Sequence, residues 1–455
     1  MTESTQFNRV ILHVRFELDR FQTLLLRLEA NDYPSDTARQ MIIREREKLA
    51  DFADSIQAIE SDFADDPAGS LKRLISRYRQ LTLRQRVLAA IEKSRTEEVP
   101  WSLVPSVERI CKCILPERPV LVTMKHQMTY EVTYNEDGNG RIILHLPLLH
   151  RANAFMHVLI GHELFHPAIA DFLKEAWPDV GEGIHVICDD VLKHEEPDHA
   201  LFQTRRLDEL VTRAHRIWKR GVEEFMCDIG AAALFGPAAL WTMSGYASSS
   251  DLDTDPTRND SYPPWRKRLS VVYDHVVDNE LEKPYLDSLY SSLTRANQHD
   301  HLDAIKRSIA SEKAIIDATP SAPHDVPDEF TSRIYEFVYA SLSQGKKVVS
   351  DIANKIPNRW GTVVTQVPAL VKRLEHLVPP CEVLDKNAET SPPAELSAIV
   401  LACWIERLRL EQKHELNLTT YSRLCRLMLK AIEDAELKRA FLSREGHSRC
   451  PSLQR

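Results

Sequence analysis

Apolar residues recur at helical spacing over long stretches of this chain, and this pattern constrains its fold more than any other feature. Within residues 7–28 most of the apolar side chains stand three or four positions apart, at Phe7, Val10, Ile11, Val14, Phe16, Leu18, Phe21, Leu24, Leu25 and Leu28. Glycine, which tight β-hairpin turns often require, supplies only 13 of the 455 residues. We therefore expect a mainly α-helical protein.

Residues 1–98 are expected to form a helical hairpin or a small bundle. A first helix ends at a break over 31–36, a second is predicted over 36–63, and a third over 69–95. Each helix is polar on one face, so the three should pack through their apolar faces. The bundle could then bind a partner protein or self-associate. Six Lys and Arg residues over 72–86 indicate either a basic groove or a solvated helix face.

Near Pro100 the pattern changes and β-branched residues become frequent. Three short strands are predicted, at 119–125, 129–134 and 141–146, and the last two should form a hairpin. The elements expected after them are a helix over 151–166, a His- and acid-rich loop over 178–199, a helix over 201–235, a loop over 245–264 and further helices from Trp265 onward. These patterns predict three regions: an N-terminal helical region (1–98), a core with a small β-sheet (99–275) and a C-terminal helical region that packs on the core (276–455).

Charge and the distribution of cysteine argue against several classes of protein. The chain has 58 Lys and Arg against 67 Asp and Glu, and a formal net charge of −9 does not suit a dedicated nucleic-acid binder. The N-terminus lacks the apolar stretch of a signal peptide, and the eight cysteines are spread along the chain, so we expect a cytoplasmic protein. The uncharged segment 229–247 contains Pro237 and is interpreted as a buried core helix, with a membrane span as the alternative.

The residues that most directly indicate chemistry are His162, Glu163 and His166, which form an HExxH motif. Histidines four positions apart on a helix lie one turn apart on the same side, so both imidazoles can reach one tetrahedral cation. The glutamate can flank the metal and take a proton from bound water. Gly161, directly before the motif, allows a close approach of another backbone.

An open zinc site needs a third protein ligand, and the helix predicted over 201–235 carries acidic residues in a suitable pattern. Glu224 and Asp228 are four positions apart, so one can bind the metal while the other holds a ligand histidine by its distal N–H. The alternative is that acidic residues suit the dipole of a helix N-terminus, which explains Glu223 better than Asp228. Cys227 is interpreted as a buried thiol or as a residue whose oxidation modulates the site.

The combination of HExxH with Glu224-x-x-x-Asp228 resembles the gluzincin group of zinc metallopeptidases. Residues 224–237 are similar to the HtpX-like peptidases and to the ImmA/IrrE-type proteases that cut transcriptional repressors. The segment Ser-Tyr-Pro-Pro at 261–264, followed by Arg268, looks like the Ser-His-Pro…Arg segment of HtpX-like enzymes. The resemblance covers roughly residues 119–275 and implies a zincin-like α+β catalytic core flanked by helical domains.

Carried over to this sequence, the resemblance implies one Zn²⁺ per chain. The implied roles are metal ligation by His162, His166 and Glu224, general base catalysis by Glu163, and orientation of a ligand histidine by Asp228. Tyr262, where the HtpX-like segment has His, or Arg268 would stabilise the oxyanion, and Arg268 could instead anchor an ion pair. Pro167 departs from the pattern, because it removes a helical hydrogen bond and should kink or end the helix.

The implied activity is that of a zinc metalloendopeptidase acting on a protein or peptide substrate. The strand at 141–146 resembles the edge strand on which such enzymes bind an extended peptide. The segment 178–199 is expected to be a lid-like loop, with a second metal site as the alternative. Two other functions stay open: a regulatory protease with one dedicated protein target, in the manner of the ImmA/IrrE type, and a zinc-binding scaffold that hydrolyses nothing.

Overall fold

A computed structural model of the chain shows a mainly α-helical protein with one small β-sheet, which confirms the predicted fold class. It divides into two compact units, Met1–Lys112 with Pro116–Arg151, and Cys113–Leu115 with Ala152–Arg455. The structure describes residues 3–96, 98–100, 102–127, 129–134, 140–195, 200–247, 252, 262–278, 283–318, 329–356, 359–383 and 391–448.

Fourteen α-helices and three β-strands lie within the described residues. Residues up to 151 contain α1 (Glu3–Glu29), α2 (Asp36–Asp62), α3 (Pro67–Glu92), α4 (Leu103–Ile114), β1 (Val120–Lys125), β2 (Glu131–Tyr134) and β3 (Ile142–Pro147). The later helices are α5 (Leu159–Glu195), α6 (Ala200–Phe235), α7 (Pro237–Ala247), α8 (Trp265–Tyr273), α9 (Lys283–Arg295), α10 (His299–Asp317), α11 (Glu329–Ala353), α12 (Arg359–Glu375), α13 (Leu396–Gln412) and α14 (Leu418–Ser448).

The first unit packs α1, α2 and α3 together, as their apolar faces predict. The core of these helices also includes Leu121 of β1 and Ile143 of β3, so helices and sheet share one hydrophobic cluster. Glu45 of α2 is fully buried there and accepts hydrogen bonds from Arg141 at 2.6 Å and Arg84 at 3.3 Å. The contacts therefore group the strands with the N-terminal helices. The sequence patterns instead predict the strands in one region with the HExxH motif, residues 99–275.

The sheet has the order β1-β3-β2, with β3 parallel to β1 and antiparallel to β2. The predicted hairpin of β2 and β3 is confirmed, and part of its turn, residues 135–139, lies outside the described residues. The expectation that the strand at 141–146 is an edge strand is wrong. Because β3 is hydrogen-bonded to a strand on each side, it cannot pair with an extended peptide as well.

In the second unit, α5 is much longer than predicted and continues through both Pro167 and Pro178. The expectation of a helix end at Pro167 and of a loop from 178 is therefore wrong as far as residue 195; residues 196–199 lie outside the described residues. Each proline removes one backbone hydrogen bond. Packing of α5 along α6 and α11 outweighs that loss, since it buries apolar residues on both sides of Pro178, including Leu173 and Ile184.

The uncharged segment 229–247 belongs to two helices, because the chain turns at Gly236, whose φ is +59°. In the part of the chain that the structure describes, no helix combines the length and the apolar character needed to cross a membrane. Of the predicted loop over 245–264, residues 245–247 complete α7, while 248–251 and 253–261 lie outside the described residues. The helix α13 is buried from Leu396 to Glu406 apart from Ser397, and it packs on α10 and α12.

Candidate metal centre

The helices α5 and α6 approach each other closely at two glycines, and this approach brings the two predicted motifs together. A Cβ atom at Gly161 would lie 3.3 Å from the Cα of Ala231, and one at Gly230 would lie 2.3 Å from the Phe165 ring. The close approach predicted for Gly161 is thus confirmed. It places the HExxH face of α5 directly against the face of α6 that carries the acidic residues.

His162 and His166 point the same ring atom towards one point. Their Nε2 atoms lie 3.2 Å apart, and their ring planes are nearly perpendicular at 79°. Both side chains are buried. Two imidazole nitrogens that face each other at this distance, one turn apart on a single helix, are arranged as neighbouring ligands of one cation.

Two residues of α6 can supply a third ligand. The Oε2 atom of Glu224 lies 3.4 Å from Nε2 of His162. Within the described residues, the Sγ atom of Cys227 also forms a compact donor set with the two histidines, whose ligand atoms all lie within 4.8 Å of one another. Burial and the surrounding carboxylates raise the pKa of the Cys227 thiol well above its ordinary value, so a nearby cation is needed to deprotonate it.

A carboxylate lies at the outer nitrogen of each histidine. Oδ1 of Asp228 is 2.8 Å from Nδ1 of His162, and Oε1 of Glu223 is 3.0 Å from Nδ1 of His166. Carboxylates at these positions fix the ring orientation and the tautomer that leaves Nε2 free to bind a metal. Glu223 lies far inside α6, which begins at Ala200, so the alternative that it suits a helix N-terminus is wrong.

Two arginines compensate the carboxylates. Arg268 donates two hydrogen bonds to Asp228, at 2.8 and 2.7 Å, and its Nη2 lies 3.1 Å from Oε2 of Glu224. Arg220 donates to Glu223 at 3.1 Å and to Glu224 at 3.4 Å. The structure thus places Arg268 in the ion-pair position that the sequence left open beside an oxyanion role.

The other two predicted residues lie at the same site. Glu163 is buried, and burial raises the pKa of its carboxyl group. The ring of Tyr262 lies 4.5 Å from the Cζ atom of Arg220, and burial together with Glu224 raises the pKa of Tyr262 to about 12. Ser261, from the same predicted segment, lies outside the described residues.

The charges of the site fit a divalent cation. Four buried carboxylates, those of Glu163, Glu223, Glu224 and Asp228, face two guanidinium groups, which leaves two negative charges uncompensated when the histidines are neutral. Without a cation the site attracts protons instead: burial lowers the pKa of His162, but Asp228 and Glu224 outweigh this and raise it to about 10. Burial likewise raises the pKa of Glu224, yet the charge of Arg268 and the two histidines hold it far below the ordinary range.

Two residues of the site have contacts that the sequence pattern does not predict, Glu223 at His166 and Arg220 at both glutamates. The sequence favours Glu223 as a helix-terminus residue, or as the third ligand if Glu224 is not, and it offers no role for Arg220. The detectable signal was the spacing of Arg220 three and four positions before two adjacent glutamates on a predicted helix. No family model, curated protein or solved structure matches this chain.

Proposed function

We propose that this protein is a zinc-dependent metallopeptidase, in which His162, His166 and Glu224 hold one Zn²⁺ and Glu163 is the general base. The observation that carries the proposal is the convergence of two Nε2 atoms, 3.2 Å apart, with a carboxylate oxygen 3.4 Å from one of them. Two imidazoles and one carboxylate are a ligand set of catalytic zinc sites, which keep a further position open for water or substrate.

Each residue of the site has a distinct task in this proposal. A bound zinc ion supplies a Lewis acid that lowers the pKa of a water ligand to about 7 and polarises the scissile carbonyl. Glu163 accepts the proton of the attacking water and delivers it to the leaving amine. Asp228 and Glu223 hold the two histidines in the orientation that presents Nε2.

The tyrosine and the arginine of the site differ in what they can offer the developing oxyanion. The Nε and Nη2 atoms of Arg268 are already hydrogen-bonded to Asp228, so this residue acts as an ion-pair anchor. The hydroxyl of a tyrosine is protonated at neutral pH and can donate a hydrogen bond to an oxyanion. Tyr262 is therefore the better candidate for stabilising the oxyanion.

The first test is metal content, measured by mass spectrometry on wild-type protein after zinc reconstitution and dialysis, beside His162→Ala and Glu224→Ala. We expect about one zinc per chain in the wild type and a loss in both variants. The matched control is His185→Ala, which removes an exposed histidine of the same helix and should keep the metal. A wild type that takes up no zinc contradicts the proposal.

Hydrolysis is tested with a pool of peptides derived from a proteome, using Glu163→Gln as the inactive variant. Removal of a general base lowers the rate by about 10²–10⁴-fold, so Glu163→Gln should show little or no cleavage. It should retain zinc, because Glu163 is not a proposed ligand. If the zinc-loaded wild type cleaves nothing in the pool, broad peptidase activity is ruled out. The regulatory protease with one protein target and the zinc-binding scaffold are then the remaining candidates, and only the former cuts its partner in a Glu163-dependent way.

A further inference from the structure

Glu223 directly precedes the proposed ligand Glu224, but it serves the opposite histidine. Its Oε1 atom lies 3.0 Å from Nδ1 of His166, and its Oε2 atom accepts a hydrogen bond of 3.1 Å from Nη1 of Arg220. The carboxylate therefore lies between an imidazole and a guanidinium. Since the Glu223 side chain is only 11% exposed, water competes little for either contact.

Arg220 reaches both glutamates from one turn earlier on α6. Besides its bond to Glu223, its Nη1 donates to Oε1 of Glu224 at 3.4 Å. The ring of Tyr262 lies 4.5 Å from the guanidinium carbon, at cation–π distance. Arg220 thus contacts Glu223, which lies at His166, the proposed third ligand Glu224 and the ring of Tyr262.

The other histidine has the same kinds of neighbours, although Asp228 lies at ion-pair distance from His162 rather than in an aligned hydrogen bond. Asp228 lies at the outer nitrogen of His162, Arg268 donates to Asp228 and contacts Glu224 at 3.1 Å, and the ring of Trp265 lies 4.4 Å from the Arg268 guanidinium carbon. Each histidine is therefore backed by a carboxylate, an arginine and an aromatic ring, in that order. The repetition of this order around one point argues against a chance surface ion pair.

We propose that Glu223, Arg220 and the ring of Tyr262 form a positioning chain for His166. Glu223 fixes the tautomer and direction of the imidazole, Arg220 fixes the carboxylate, and the ring covers the guanidinium. The inference rests on the proposed function, because it assigns these residues a role towards the metal. A merely structural ion pair within α6 predicts the opposite result, namely metal affinity that does not depend on Glu223 or Arg220.

The test is the dissociation constant for zinc, measured by competition with a chromophoric chelator on the full-length protein. Loss of a partner of this kind typically weakens metal binding about 10- to 100-fold, and we expect this for Glu223→Ala. Glu223→Gln keeps an acceptor oxygen for His166 and should lose less. Arg220→Gln should weaken zinc binding in the same direction, with partial recovery in Arg220→Lys. The control is Lys219→Gln, which removes an exposed positive charge from the neighbouring position and should match the wild type.

The visible spectrum of the cobalt-substituted protein gives a second readout, since a reoriented His166 shifts the ligand-field bands and an intact site does not. Tyr262→Phe keeps the ring and should keep wild-type zinc affinity, whereas Tyr262→Ala should weaken it. If Tyr262→Phe weakens zinc as much as Tyr262→Ala, the ring has no part in the chain.

The outcomes separate this inference from the proposed function. A wild type that binds no zinc removes both. The positioning chain is overturned if the wild type binds zinc and the zinc dissociation constants of Glu223→Ala and Arg220→Gln lie within about 2-fold of the wild-type value, with unchanged cobalt spectra. The proposed function is then unaffected. Equal losses in Arg220→Gln and Lys219→Gln would show an effect of helix charge and also overturn it. Circular dichroism of the metal-free proteins verifies folding, and if Glu223→Ala does not fold, Arg220→Gln and Tyr262→Ala decide the matter.

Discussion

Arg268 is the buried cation on which two carboxylates of the site depend. Its side chain is 7% exposed, and it makes hydrogen bonds of 2.8 and 2.7 Å to Asp228, which is fully buried. It also lies 3.1 Å from Glu224, whose side chain is 4% exposed. The substitution Arg268→Met keeps an unbranched apolar stem but removes the guanidinium and its charge, so both carboxylates lose the same partner.

Removal of one partner from a buried ion pair typically costs about 3–5 kcal/mol, because the remaining charge stays buried without compensation. For a large domain, a change of 1 kcal/mol moves the melting temperature by about 2 °C. The metal-free Arg268→Met protein should therefore melt about 6–10 °C below the metal-free wild type. Zinc at 100 times its dissociation constant stabilises by about 2.7 kcal/mol, so the zinc-loaded variant should recover about 5 °C of the loss.

The assay is thermal unfolding followed by circular dichroism, on chelator-treated and zinc-loaded samples of each protein. Arg216→Gln, which removes an exposed arginine of α6, is the control and should melt within about 1 °C of the wild type, as surface substitutions usually do. A metal-free Arg268→Met protein that melts within 2 °C of the wild type would refute the reasoning. It would mean that Asp228 and Glu224 do not depend on Arg268 for compensation, and that the site does not hold the uncompensated charge which a divalent cation is proposed to neutralise.

Three further predictions concern packing, ligation and acid stability. Gly230→Ala should lower the free energy of unfolding by about 1–3 kcal/mol and weaken zinc binding, because the new Cβ would lie 2.3 Å from Phe165. Melting and zinc-affinity measurements test this, with Gly245→Ala as the control because a Cβ at Gly245 meets open space. Cys227→Ser should leave the near-ultraviolet spectrum of the cobalt protein unchanged, whereas loss of a thiolate charge-transfer band would make Cys227 the third ligand. Although burial raises the pKa of Glu406, a neighbouring guanidinium and imidazole outweigh this and lower it. The Glu406 carboxylate therefore stabilises the folded protein above the ordinary carboxyl pKa of about 4.5, and this stabilisation is lost as the pH falls below that value. When the pH is lowered below 4.5, the melting temperature of Glu406→Gln should decrease less than that of the wild type.

Features that depend on short spacing in the chain were predictable. His162 and His166 share one side of α5, and Glu224 and Asp228 share one side of α6, because the period of the α-helix brings residues four apart together. The same local geometry explains why the N-terminal helices and the three strands lie near their predicted bounds. Local rules also predicted that the helix kinks or ends at Pro167. It does not end there, because packing of the whole helix against α6 and α11 outweighs the local preference.

Contacts between distant parts of the chain could be identified only from the tertiary structure. The sequence by itself determined a helical protein with a small sheet, an HExxH motif on one helix and two carboxylates on one side of another, because each follows from backbone periodicity. Only the folded structure decided that β3 is the central strand and that Arg268 pairs with Asp228. It also decided that Glu223 turns to His166. These pairings depend on how closely α5 and α6 approach and on which charges are buried together, and neither is encoded in the spacing of neighbouring residues.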